Sequence, residues 1–251
     1  METPEIITPC GSAQTSFPYS NQWHLTKTTG INAEEAWAIN KGRSDVIIAV
    51  CDGGVDYTHP NLDPGNRSRV IAGYDFGDND NDPMDNLPYN DLESYAGHGT
   101  HVAGIIGAFP TATNQISGVM QNCKIMPVKM VGGEKLSFVS VEIIGVGTWN
   151  FSTTAFPSDV ANAIDYAVNN GAKVINLSYG FSVTGFYTID DVILRVPLLY
   201  DKIKDAYSKN VVIVASMGNE YLKGNPVQYP AAFYPVIAVG NTTELKMRKY
   251  F

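Results

Sequence analysis

The stretch that decides the fold is Val46-Ile47-Ile48-Ala49-Val50-Cys51-Asp52, six consecutive apolar residues that end at a carboxylate. A continuous apolar run of this length is typical of a parallel strand that is buried on both faces. Further short apolar runs, each predicted to form a strand, follow at residues 124–130, 174–178, 211–215 and 236–239. The chain therefore contains a series of buried strands rather than strands with one polar face.

Helical patterns lie between these runs. A short helix is expected at residues 31–39, another from His98, an amphipathic one over 158–170 with Gly171 as its stop, and one over 198–209. The alternation of strands and helices predicts the α/β class, a three-layer sandwich with a central parallel sheet. Residues 131–157 are rich in Gly, Ser and Thr, and we expect an irregular surface insertion there.

The bulk composition excludes several classes of protein. The chain has 251 residues, enough for one large domain, and a formal net charge of −8, which argues against nucleic acid because phosphate binding needs clustered Lys and Arg. No window approaches the roughly 18 uninterrupted apolar residues of a transmembrane helix, so no membrane partner is expected. The first residues lack the basic and apolar regions of a secretory signal. The three cysteines form no even disulfide framework.

Three short blocks carry the candidate chemistry. The first is Asp52-Gly53-Gly54-Val55-Asp56, the second is His98-Gly99-Thr100-His101-Val102-Ala103-Gly104, and the third is Met217-Gly218-Asn219-Glu220. In open parallel sheets, functional residues gather beyond the carboxyl ends of the strands. Taken alone, a carboxylate at a strand end is weak evidence, because it also caps helices or binds backbone amides. The histidine block is far more specific.

In residue type, order and spacing, the three blocks resemble the subtilisin-like serine proteases, or subtilases. The resemblance runs from about Asn21 to the last residue and includes three more blocks, at 125–129, 174–180 and 229–232. It implies that residues 21–251 are an incomplete subtilase catalytic domain and that residues 1–20 are an N-terminal extension. A dinucleotide-binding sheet is excluded, because no G-x-G-x-x-G turn follows the first strand.

The resemblance implies a serine endopeptidase that cleaves peptide bonds with an Asp-His-Ser triad. His98 would accept the proton of the serine, Asp52 would hold the imidazole through its Nδ1–H, and the Asn219 amide would stabilise the oxyanion. Gly53 departs from the Ser or Thr that usually follows the aspartate, so we expect a modest loss of preorganisation. His101 lies one helical turn after His98 and is expected to pack rather than react.

A protein or peptide substrate follows from the same resemblance. In the family an extended peptide adds as a strand beside the cleft, and the segment Leu177, Ser178, Tyr179 and Gly180 resembles the one that lines the primary pocket. Gly180 is expected to leave room for a large apolar side chain. Subtilases are usually secreted or held at the cell surface, although nothing in this sequence encodes export.

Residues 75–82 form an acidic loop that resembles the calcium loop of thermitase-like subtilases. Its expected Ca2+ ligands are Asp75, Asp78, Asp80 and Asp82. A merely solvated acidic loop is the alternative. An EF-hand is excluded, because counting from Asp78 places Pro83 and Tyr89 where glycine and glutamate are required. A second calcium site of the family is not expected, because Asn61 replaces an aspartate nine residues after Asp52.

The nucleophile is the part of the triad that the sequence does not contain. In the family it lies in a Gly-Thr-Ser-Met-Ala block after the Tyr-Pro-Ala segment, and the 251 residues include no such block. Ser178 and Ser216 lack its glycine flanks and its turn. We therefore expect a C-terminally truncated catalytic domain that is inactive alone. The alternative is a non-catalytic pseudoprotease that binds peptide or calcium.

Overall fold

A computed structural model describes residues 22–64, 68–87, 96–111, 116–131, 139–143, 147–151, 155–183, 188–220, 222 and 224–242, with the backbone alone for 139–143 and 147–151. A short 3-10 helix (Trp23–Leu25) precedes five α-helices: α1 (Ala33–Ile39), α2 (His98–Gly107), α3 (Pro157–Asn169), α4 (Ile189–Arg195) and α5 (Pro197–Ser208). The strands are β1 (Gly42–Asp52), β2 (Tyr74–Asp75), β3 (Asn122–Lys129), β4 (Val139–Ile143), β5 (Gly147–Phe151), β6 (Val174–Leu177), β7 (Phe181–Val183), β8 (Val212–Ser216), β9 (Gln228–Tyr229) and β10 (Ile237–Val239). The predicted N-terminal extension, residues 1–20, lies outside the described residues.

A six-stranded parallel sheet forms the centre of the fold. Its strand order is β10-β8-β6-β1-β3-β2, and every neighbouring pair runs parallel. The strand quoted first from the sequence, β1, lies between β6 and β3. This position explains its apolar run, since a central strand with helices on both faces has no side that meets water.

Alternate residues of β1 point to opposite layers. Ile48 and Val50 belong to one apolar core, in which Ala103 of helix α2 also packs. Ala49 joins the core on the opposite side, where Ile164 of α3 packs. Because side chains alternate along a strand, the single apolar run supplies two cores. The α/β class and the central parallel sheet covered by helices are therefore confirmed. No helix among the described residues is long and apolar enough to cross a bilayer.

The prediction of an irregular insertion at 131–157 is wrong. Strands β4 and β5 form an antiparallel hairpin there, and β5 continues through β7 to β9 in a second, four-stranded sheet. Thr, Trp and Phe residues within 148–151 favour extended structure, which outweighs the surrounding glycines. Helix α4 is likewise absent from the sequence prediction, because its seven residues are too few for a clear helical period.

Two strand positions depart from what the local sequence favours. Proline is normally confined to edge strands, yet Pro127 lies in β3, between β1 and β2. Its missing N–H is tolerated because β2 pairs only with Val128 and Lys129, beyond the proline. The run at 236–239 was expected to be buried, yet all three residues of β10 are exposed at the sheet edge.

Candidate active site

The candidate acid–base pair lies where β1 ends and α2 begins. Asp52 is the last residue of β1, and His98 is the first residue of α2. His98 Nδ1 lies 2.8 Å from Asp52 Oδ1. The hydrogen bond to Asp52 raises the pKa of His98 above its ordinary value, although partial burial opposes the shift. The structure thus brings together two residues that stand 46 positions apart in the sequence.

Asp52 is 7% exposed, and its two carboxylate oxygens have different surroundings. Oδ1 accepts a hydrogen bond from the Gly53 backbone N–H at 2.7 Å as well as the contact with His98. Oδ2 is buried and has no hydrogen-bond partner among the described residues. Such an unsatisfied oxygen costs about 1–3 kcal/mol. Position 53, a glycine here, offers no hydroxyl to this oxygen.

The sheet register places the other two predicted segments at the same edge. Cys51 pairs with Leu177, and Leu177 pairs with Ala215. Because these strands are parallel and about 4.8 Å apart, the residues that follow them leave the sheet side by side. The segment after Leu177 and the loop that contains Asn219 therefore start from the edge that carries Asp52.

The loop that contains Asn219 is held by a pair of side chains that the sequence analysis missed. Glu220 Oε2 accepts a hydrogen bond from the Asn219 backbone N–H at 2.9 Å and another from Gln228 Nε2 at 3.1 Å. Gly218, just before Asn219, has φ +83°, a left-handed conformation that favours glycine. Asn219 is exposed. The acid directly after Asn219 was a visible sequence signal, but Gln228 gave none.

The predicted substrate segment alternates between buried and half-buried residues. Leu177 and Tyr179 are buried, and the Tyr179 hydroxyl donates a hydrogen bond to the Ala155 carbonyl at 2.8 Å. Ser178 and Gly180 are half-buried. A Cβ on Gly180 would lie 2.9 Å from Gln228 Oε1. The space over Gly180, expected to admit a large apolar side chain, is therefore bounded by a carboxamide.

The acidic loop surrounds a buried lysine. Lys129 Nζ lies 2.7 Å from Asp75 Oδ2, 3.3 Å from Asp78 Oδ2 and 2.8 Å from Asn86 Oδ1, and its side chain is fully buried. The other oxygen of Asp75 accepts hydrogen bonds from the backbone amides of residues 77 and 78. One of the two negative charges of Asp75 and Asp78 is thus balanced by a side chain of the protein.

The outer aspartates of the loop do not converge with the inner ones. Asp80 Oδ1 accepts a hydrogen bond from the Asp82 backbone N–H at 2.8 Å, and Asp82 Oδ1 accepts one from the Tyr57 hydroxyl at 2.6 Å. Within the described part of the chain, no three His, Cys, Asp or Glu side chains are placed to hold a metal ion. Calcium binding by the loop stays a prediction.

The remaining histidines lie apart from the pair. His24, His59 and His101 line a cleft of about 900 Å³ together with polar and apolar neighbours. His101, expected to pack, is exposed. Burial lowers the pKa of His24. Cys51 and Cys123 are buried thiols, and burial raises the pKa of both, as expected for inert structural cysteines.

Comparison with known proteins identifies the family of the chain. The model of the subtilase family matches residues 43–251, which include Asp52, His98 and Asn219. The chain belongs to the subtilase family. The resemblance that the sequence motifs indicated is therefore confirmed, and proteins of this family are serine proteases that hydrolyse peptide bonds.

Individual relatives of this subtilase agree with the family match. It is 38% identical to a thermophilic serine proteinase of Bacillus sp. (strain AK1) over 206 residues, which cover 82% of this chain and 40% of the relative. It is 34% identical to thermitase of Thermoactinomyces vulgaris, covering 85% of this chain and 61% of thermitase. The chain thus spans about half the length of these relatives. Relatives named as intracellular and as extracellular proteases both occur.

Solved structures support the fold of this subtilase. The nisin leader peptidase NisP from Lactococcus lactis superposes with a TM-score of 0.64 at 24% identity, over 93% of this chain and 65% of that one. A likeness at this identity speaks for the fold alone. It does not assign the roles of Asp52, His98 and Asn219.

Proposed function

We propose that Asp52 and His98 supply the acid–base pair of a serine endopeptidase and that Asn219 supplies its oxyanion donor. The observation that carries the proposal is the 2.8 Å contact between His98 Nδ1 and Asp52 Oδ1 at the carboxyl end of the central strand. A neutral imidazole held in this way donates its Nδ1–H to the carboxylate. Its Nε2, on the opposite side of the ring, is then the basic nitrogen.

In the proposed reaction, His98 Nε2 takes the proton of a serine hydroxyl as the serine oxygen attacks the peptide carbonyl. The imidazolium that forms is stabilised by Asp52, and it then protonates the leaving amine. The raised pKa of His98 suits this role, because it favours the protonated ring at that stage. The side-chain amide of Asn219, at the same sheet edge, would donate to the oxyanion. In subtilisin, the member of this family for which the effect is known, losing such a donor costs about 10²–10³ in rate.

The serine is proposed to come from residues outside these 251, which contain no Gly-Thr-Ser-Met-Ala block. The exposed apolar side chains at the β8–β10 end of the sheet, Val212, Ile237 and Val239, support this proposal. Parallel sheets are normally covered on both faces, so further polypeptide is expected to pack there. The 251 residues alone are accordingly proposed to be inactive.

Active-site labelling with a fluorophosphonate tests the proposal. The 251-residue chain should not be labelled, whereas a longer protein that includes the serine block should be labelled stoichiometrically. In the longer protein, His98→Ala should slow labelling by several orders of magnitude, because a triad acts as a unit. Stoichiometric labelling of the 251-residue chain would overturn its proposed inactivity. Unchanged labelling of the His98→Ala protein would overturn the role of the pair.

Protein or peptide substrates are proposed to bind as an added strand next to Leu177–Gly180, with Gln228 over Gly180 bounding the pocket. Calcium binding by Asp75, Asp78, Asp80 and Asp82 is a proposal that rests on the sequence resemblance. Secretion or a cell-surface location is a proposal too, because relatives include extracellular proteases.

A further inference from the structure

The first turn of helix α2 needs a hydrogen-bond acceptor that its own residues do not provide. The first N–H groups of an α-helix have no partner within the helix and are usually met by a side chain at the N-cap. In α2 the N-cap is Gly97, which has φ +79° and no side chain to accept a hydrogen bond. The helix that presents His98 therefore depends on an acceptor from elsewhere.

Asp85 provides that acceptor from a separate segment. Its Oδ1 accepts the Gly97 N–H at 3.0 Å, and its Oδ2 accepts the Thr100 N–H at 3.2 Å and the Thr100 hydroxyl at 2.6 Å. In a capping box, two residues of the helix meet the N-cap and N3 amides between them. Here one carboxylate from outside the helix meets both, and it brackets His98 between its two contact points.

The same contacts tie α2 to the loop that follows Asp52. Thr100 Oγ1 accepts the backbone N–H of Asp56 at 2.8 Å while it donates to Asp85. The Val55 N–H donates to the Pro83 carbonyl at 3.0 Å, two residues before Asp85. The segment that carries Asp85 thus contacts both the helix of the base and the loop of the acid.

The segment is itself anchored in the sheet. Asn86 Oδ1 accepts a hydrogen bond from the buried Lys129 Nζ at 2.8 Å. Lys129 is the register partner of Asp52 across β1 and β3. A chain of direct contacts therefore runs from the strand that neighbours Asp52, through Asn86 and Asp85, to the first turn of α2.

We propose that Asp85 is a positioning residue for the acid–base pair: it clamps the first turn of α2 and so fixes the His98 ring on Asp52. The proposal rests on the proposed function of that pair and deepens it. Charge supports it as well. The N-terminus of a helix disfavours a positively charged imidazolium. The Asp85 carboxylate opposes this effect: it raises the pKa of His98, although less than the Asp52 carboxylate does.

Side-chain NMR of the 251-residue chain tests the proposal without any need for the serine. The readouts are the His98 pKa and the downfield proton of its Nδ1–H···Asp52 hydrogen bond. Asp85→Asn keeps the shape but removes the charge and one acceptor. We expect a lower His98 pKa and a broadened or lost downfield proton, whereas the charge-matched control Asp201→Asn, on the exposed face of α5, should leave both unchanged.

A purely structural role predicts something different. It would lower the melting temperature of Asp85→Asn and leave the downfield proton and the His98 pKa as they are, and that result would overturn the proposal. If Asp85→Asn does not fold, Thr100→Val decides. It keeps both charges and removes the hydroxyl between Asp85 and Asp56, so the downfield proton should exchange faster. A folded Thr100→Val chain with unchanged His98 signals would also overturn the proposal.

The experiment separates this proposal from the proposed function. Asp52→Asn must remove the downfield proton; if it does not, the pair itself is refuted. If Asp52→Asn removes the proton and Asp85→Asn leaves it intact, only the role of Asp85 fails. In a longer, active protein, Asp85→Asn should lower kcat by about ten- to a hundredfold with little change in KM, because it misplaces the base rather than the substrate.

Discussion

Gly99 of helix α2 packs directly against Asp52 of strand β1. A Cβ on Gly99 would lie 3.0 Å from the Asp52 Cβ and 3.1 Å from its Oδ1, and it would overlap the carbonyl oxygen of Gly54. The helix can therefore approach the strand closely enough for the neighbouring His98 to reach the carboxylate only because position 99 has no side chain. The glycine that weakens the helix is what permits the contact between acid and base.

Two glycines of α2 should consequently respond to alanine in opposite directions. Gly99→Ala should destabilise the chain by about 1–3 kcal/mol through overpacking and should break the His98–Asp52 hydrogen bond. Gly104→Ala meets nothing within 4 Å and should stabilise the helix by about 0.5–1 kcal/mol. Denaturant unfolding measures both changes. Equal effects of the two substitutions would contradict the close packing of Gly99 on Asp52.

The acid–base pair should make stability depend on pH with a definite sign. The pKa of His98 is raised in the folded chain, so its contribution is fully present below the unfolded value of 6.5 and is lost as pH rises through the folded value. The free-energy advantage of the parent over His98→Gln should therefore shrink as pH rises above 6.5 and through the folded pKa of His98. The parent is compared with His98→Gln because His24, whose pKa is lowered, changes the stability of both proteins with pH in the opposite direction. Subtracting one stability from the other removes that contribution. A constant advantage would refute the charged pair.

Lys129 should be among the most sensitive positions outside the apolar core. Lys129→Met leaves Asp75, which is 1% exposed, without its counter-charge, and we expect a loss of about 3–5 kcal/mol. The exposed Lys173→Met is the matched control and should change stability by less than about 0.5 kcal/mol. The double substitution Asp75→Asn with Lys129→Met should recover part of the loss. Chemical denaturation that ranks Lys173→Met as the more damaging change would contradict the buried ion pair.

The loop of Asn219 should tolerate no side chain at Gly218. Gly218→Ala places a Cβ over Glu220 Oε2 and 2.7 Å from Gln228 Cγ, in addition to the strain of φ +83°. Gly224→Ala isolates the strain, because Gly224 has φ +92° and nothing within 4 Å. We expect about 1–2 kcal/mol from strain alone and a larger loss at Gly218. Thermal melts compare the two, and indistinguishable losses would argue against the Glu220–Gln228 clamp.

Calcium tests whether the acidic loop accepts a cation besides Lys129. The sequence resemblance predicts that millimolar Ca2+ raises the melting temperature, by an amount equivalent to about 2.7 kcal/mol at a hundredfold excess over Kd. The gain should be lost in the double variant Asp80→Asn/Asp82→Asn, which lacks two exposed carboxylates. Mg2+ should not replace Ca2+, because Mg2+ demands a tighter octahedral cage. A melting temperature that is the same in Ca2+ and in chelator would leave Lys129 as the balancing cation.

The central strands and the longer helices were readable in the sequence from their apolar patterns. The run that ends at Asp52 and the helix that starts at His98 appear as predicted, and α5 (Pro197–Ser208) lies within one residue of the predicted 198–209. The sequence did not predict features that depend on which distant strands pair with one another. The hairpin of β4 and β5 and the exposure of β10 depend on which strands become neighbours, which apolar content does not specify.

The sequence by itself determined the family, the order of the central-sheet strands β1, β3, β6, β8 and β10 and of four helices, and the identity of the candidate acid, base and carboxamide, because burial periodicity and short motifs are local properties of the chain. Only the tertiary structure decided that Asp85 caps α2, that Lys129 occupies the acidic loop and that Gln228 covers Gly180. Each of these contacts joins residues 12 to 54 positions apart, counted from the residue numbers. Such contacts arise from the packing of whole elements, and no local pattern encodes them.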